Sequence, residues 1–174
     1  MNIHPLLVHF PIAFFVIYSL FELIPFKKIT AQPYWFYIKA VLIFLGVAGA
    51  LAAGITGNLV EKQYFDQKAL ISLHSKVNFA ASATFSLLAY AYFMTWIRRT
   101  QKISANNLLG ISLRFENLLL NTLFKYILVL LGFVLIVLGG ALGGIIVYGP
   151  NLDPFTGFVY SLVAPLVQNM PSGN

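Results

Sequence analysis

Four stretches of this chain stay apolar for the thickness of a lipid bilayer, and that limits its fold more than any motif does. They cover about residues 5–24, 37–59, 73–97 and 123–148, each close to or above the roughly 20 residues a helix needs to cross the hydrocarbon. Inside that medium every backbone N–H and C=O must be paired within its own segment, so such spans fold as α-helices. Only 9% of the 174 residues are charged and 59% are hydrophobic, whereas about a quarter are charged in a soluble domain. The expectation is a single all-α membrane domain: an integral membrane four-helix bundle with short interfacial helices.

Each span carries marks of its own. The first lacks the basic leader and small-residue cleavage site of a secretory signal, so it is read as part of the mature bundle. Pro5 suits a first helical turn, while Pro11 removes a backbone bond and predicts a kink beside His9. Gly46, Gly49, Gly54 and Gly57 in the second span allow close helix approach. In the third, His74, Asn78, Ser82 and Ser86 recur every four residues; such a stripe drifts only about 40° per step and is expected to face the interior. Gly139, Gly140, Gly143 and Gly144 close the fourth, and Tyr148 to Pro154 is a stop. The polar connection Val60 to Ser72 is expected to hold a short surface helix. Residues 111–120 fit an amphipathic interfacial helix or an extension of the fourth span, and 155–167 an apolar segment against the membrane surface. No repeat of solenoid length is present.

The charges set an orientation. Lys27, Lys28, Lys39, Arg98, Arg99, Lys102, Arg114 and Lys125 lie in or beside the first and third connections with Glu22 and Glu116; Lys62, Lys68 and Lys76 on the other side are balanced by Glu61, Asp66 and Asp153. The whole net charge of +6 thus sits on one side. By the positive-inside rule that side is cytoplasmic, which puts both termini outside the plasma membrane. Basic residues in two short loops are topology signals, so no nucleic-acid partner is expected.

All three histidines, His4, His9 and His74, then share the outer half. An imidazole near or below the interface needs a hydrogen-bond partner, a metal or a cofactor. Two imidazoles from facing helices are axial ligands for a b-type haem. His9 on the first span with His74 on the third is the expected pair, because His4 points about 140° away from His9 on an ideal helix. Asn78, Asn58 and Tyr148 lie in the same region as further cofactor contacts or as hydrogen-bond partners of the rings. Copper or zinc held by His9, His74 and an unwound His4, with Glu61 in reach, is a second arrangement. The glycines either leave room for a flat cofactor or only close helix contacts.

A plainer reading needs no cofactor. His4 becomes an interfacial cap, His9 and His74 interhelical hydrogen-bond groups, and Trp35, Trp96 and Tyr148 members of the interfacial aromatic belt; the protein is then a structural or assembly subunit, or an oligomer. The chain has no cysteine, which excludes disulfides, iron–sulfur clusters and thioether-attached haem through its own thiols. No GxSxG elbow, HExxH or P-loop is present, so no enzyme is expected. The third-span polar stripe fades after Ser86, which argues against a conduit.

The opening HPLLVHFPIAFF, the His74 and Asn78 pair, and the closing GGALGGIIVYGPNLDP resemble a widespread bacterial family of four-span membrane proteins catalogued as a domain of unknown function. The resemblance covers nearly the whole chain. Similar domains occur fused to c-type cytochrome or Rieske modules, which implies an extracytoplasmic redox partner. Many relatives carry a histidine between the fourth-span Val-Tyr and the following glycine; here Val147-Tyr148 runs directly into Gly149-Pro150, so the resemblance implies no fourth-span ligand.

Overall fold

The computed structural model describes residues 4–24, 32–60, 67–101 and 110–168, and the regular structure there is helical throughout. The helices are α1 (His4–Leu23), α2 (Tyr34–Val60), α3 (Lys68–Gln101), α4 (Gly110–Leu120), α5 (Thr122–Tyr148) and α6 (Pro154–Gln168). Of these, α1, α2, α3 and α5 are long and apolar enough to cross a membrane. The observed ends fall within a few residues of the expected ones, except that α3 starts at Lys68 and so takes in residues 68–72 of the connection expected to hold a surface helix. Residues 61–66 lie outside the described ones. Helix α1 continues through Pro11, which is buried.

Local chemistry sets the boundaries in the second half. Asn121 separates α4 from α5: its side chain accepts hydrogen bonds from Leu123 and Phe124 N–H, which satisfies donors left over at a helix start. Residues 111–120 are therefore a separate helix. Helix α5 stops at Gly149, whose φ of 87° is open to glycine and whose N–H bonds the Ile145 carbonyl. Asp153 then caps α6 by accepting from Phe155 and Thr156 N–H, with Pro154 as its first residue. Helix α6 folds back so that Val159 packs with Leu142, Ile145 and Leu70.

The four long helices alternate in direction. Helix α1 packs most extensively on α2, and α3 on α5, while α1 also meets α5 and α2 meets α3. Along the tight contacts a side chain from one helix sits on a glycine of the next. Phe15 lies on Gly46 and His4 on Gly57; Phe85 lies on Gly132 and His74 on Gly143. The two sets are the same set twice. Phe15 and Phe85, like His4 and His74, are 70 positions apart, while Gly46 and Gly132, like Gly57 and Gly143, are 86 apart. Ile43 and Val129, also 86 apart, are both fully buried; Gly54 and Gly140, another such pair, face no neighbouring atom within 4 Å. Helix pairs α1–α2 and α3–α5 are thus related by an approximate two-fold axis along the bundle. At that axis Phe15 and Phe85 stack with centroids 4.1 Å apart and planes 8° from parallel, an arrangement favourable for aromatic rings.

Candidate functional site: an imidazole pair and a buried ion cluster

The helix directions bring His4 and His74 to one end of the bundle. His4 Nδ1 lies 2.9 Å from Thr56 Oγ1, and that hydroxyl is in turn 3.1 Å from the Ala52 and Ala53 carbonyls. His74 Nδ1 lies 3.1 Å from the Gly139 carbonyl. Ala53 and Gly139 occupy equivalent positions, so the two rings are anchored to the same backbone site, one through a hydroxyl and one directly. A carbonyl only accepts, so His74 Nδ1 carries a proton, and in the neutral ring the lone pair is then on Nε2. Burial holds the His4 pKa below its ordinary value of 6.5.

Asn78 completes this end. Its Nδ2 donates to the His74 carbonyl at 2.9 Å and lies 3.2 Å from both ring nitrogens. The two in-plane nitrogen axes of an imidazole diverge, so an amide equidistant from both lies on neither; the carbonyl bond is the well-formed one. Asn78 fills the surface of Gly139, where a Cβ would overlap its Oδ1, and His74 leaves only 3.1 Å to a Cβ on Gly143. These glycines close helix contacts.

Several expectations need correction. His9 is exposed on the outer side of α1, because five residues past His4 it has turned about 140° around the helix; its equivalent, Phe79, is 76% exposed. The structure therefore does not bring His9 and His74 together, and His4 stands where His9 was expected. The three-histidine metal arrangement is not formed: among the described residues no three His, Asp or Glu side chains come together to hold an ion. Tyr148 is 72% exposed. Ser86 is exposed as well, since three steps of drift carry the third-span stripe about 120° round the helix. The Asn58 side chain and Glu61 lie outside the described residues.

The opposite end holds a cluster that sequence reasoning dispersed into loops. Glu22 of α1 is buried; Lys39 of α2 reaches its Oε1 at 3.0 Å, Lys125 of α5 its Oε2 at 3.0 Å, and the Tyr92 hydroxyl of α3 donates to Oε1. Lys39 and Lys125 are again 86 positions apart, and Glu22 and Tyr92 are 70 apart, so this network lies on the same axis as the phenyl stack. Beside it, Glu116 of α4 is buried and accepts from Arg98 and Thr95 of α3. The missed signal was Glu22 itself, an acid inside the last turn of an apolar span, where an ionisable group implies a partner.

Fold and polar sites together define an α-helical membrane protein with four spanning segments built as two similar helix pairs. The chain belongs to the family described as "Predicted membrane protein (DUF2231)", which matches residues 1–152 and so takes in all four spanning helices but ends ahead of α6. No curated protein and no solved structure matches it.

Proposed function

We propose that this protein is a non-enzymatic redox subunit that holds a b-type haem between His4 and His74. One observation supports the reading: two imidazoles stand at equivalent positions of the two helix pairs, each with Nδ1 tied to its own neighbouring helix through Thr56 or Gly139. Metal-ligating histidines are held this way, the anchored nitrogen fixing the tautomer and orienting the other. Two nitrogen ligands are too few for a protein-held zinc site, but they suffice for a haem, whose macrocycle supplies the remaining four. When bound, the haem would supply one-electron chemistry; the chain's part is to orient two neutral rings and to seat them on Gly57 and Gly143.

The one-sided positive charge favours an orientation with this end and both termini on the outer face of the plasma membrane. A cytochrome-type or Rieske-type partner would meet it there. The test is the absorbance spectrum, with metal analysis, of detergent-purified protein supplemented with haem. A Soret band is expected that His4→Ala and His74→Ala each abolish and His9→Ala leaves intact. A wild-type protein without the band sinks the proposal.

A second reading rests on the same contacts. Because His74 bonds the Gly139 carbonyl across a helix interface, it also suits a cofactor-free fastener in an assembly subunit. In that case His74→Ala lowers stability by about 1 kcal/mol, the usual size of an interhelical hydrogen bond in a membrane, with no spectral change.

A further inference from the structure

The ionic end carries a feature that the haem proposal does not use and does not depend on. A cavity of about 400 Å³ opens between α2, α3 and α5, lined among others by Trp35, Phe36, Lys39, Tyr92, Arg99 and Lys125. Its lining holds three cations, Lys39, Arg99 and Lys125, and no carboxylate among the described residues. Lys39 and Lys125 share the single carboxylate of Glu22, which among the described residues leaves one positive charge over. Arg99 adds another: its guanidinium lies 4.0 Å from the centre of the Phe36 ring, and no carboxylate lies within 4.0 Å of it among the described residues. The Trp35 indole, 7% exposed, has an N–H without an acceptor among the described residues. An indole N–H can only donate, and a buried donor left unpaired is costly.

We propose that this cavity binds a phosphate group, held by Arg99, Lys39 and Lys125 with the Trp35 N–H as a fourth donor. The position of the site favours the headgroup of an anionic phospholipid over free phosphate. The cavity sits at one end of an apolar bundle, where a headgroup arrives with its acyl chains along the exposed apolar residues of the helices, and basic pockets between spanning helices are known headgroup sites. Guanidinium supplies paired N–H bonds to phosphate oxygens, while lysines act as point charges. The stacking of Arg99 on Phe36 holds that fork in place before the ligand arrives.

The experiment follows thermal unfolding of the full chain in nanodiscs of phosphatidylcholine alone, of phosphatidylcholine with graded phosphatidylglycerol, and of phosphatidylcholine with inorganic phosphate against chloride at equal ionic strength. Wild-type protein is expected to gain stability saturably with phosphatidylglycerol. Arg99→Gln and Trp35→Phe, each referred to its own midpoint in phosphatidylcholine, should need about tenfold more of it; Arg114→Gln, on the exposed side of α4, should match wild type. The same saturable gain with inorganic phosphate supports the phosphate site and assigns its source to the free anion. Equal midpoints under all three conditions, or a response that survives the Arg99→Gln/Trp35→Phe double variant, overturn the proposal.

Discussion

Glycine has two opposite fates in this bundle, and the difference lies in what faces each one. At Gly46 a Cβ would come within 2.5 Å of Phe15, and at Gly132 within 2.8 Å of Phe85; the two rings are stacked on each other, so neither can yield. Gly46→Ala and Gly132→Ala are each expected to destabilise the protein by about 1–3 kcal/mol through overpacking. Gly54→Ala and Gly140→Ala meet nothing and should be neutral or stabilising by up to about 1 kcal/mol from helix propensity. Thermal unfolding of the four variants checks this, and a loss at Gly54 equal to that at Gly46 would refute the contact argument. His4 adds a pH dependence. Its folded pKa lies below the ordinary 6.5 because of burial, so between the two values the unfolded chain binds more protons than the folded one. Stability therefore rises with pH through that window and levels off above about 6.5. His4→Gln should flatten this rise in a series of melts between acid and neutral pH.

At the scale of elements, most boundaries were legible in the sequence, because caps and stops are local chemistry. The Tyr148 to Pro154 stop became a left-handed glycine followed by an aspartate cap. What composition could not decide was whether residues 111–120 join the fourth span. Asn121 settles it, and Asn121→Ala should cost about 1 kcal/mol, read from the unfolding midpoint. Which way a helix faces was harder to read. His4, His9 and the serines after Asn78 all have sequence spacings compatible with more than one inward face, and rotation about the helix axis is set by the neighbours each face meets. That is why His9 was expected inside and is exposed, while His4 is anchored to Thr56.

On the scale of the whole molecule, Glu22 joins all four spanning helices through Lys39, Lys125 and Tyr92. Glu22→Gln removes the buried negative charge that pairs two half-buried lysines and should cost about 3–5 kcal/mol, whereas replacing Glu22, Lys39 and Lys125 together by apolar residues of similar size should recover most of that loss. A triple variant less stable than Glu22→Gln would count against the ion cluster as the source of the loss. The 70- and 86-residue spacings were present in the numbering throughout, yet a spacing becomes a repeat only once contacts show which residues are equivalent. Span number, span limits and the one-sided positive charge were set by the sequence alone, because burial in lipid and charge bias act segment by segment. The imidazole pair, the phenyl stack on the axis and the four-helix ion cluster were decided only in three dimensions, because each is a meeting of residues far apart in the chain whose partners depend on how neighbouring helices rotate and pack.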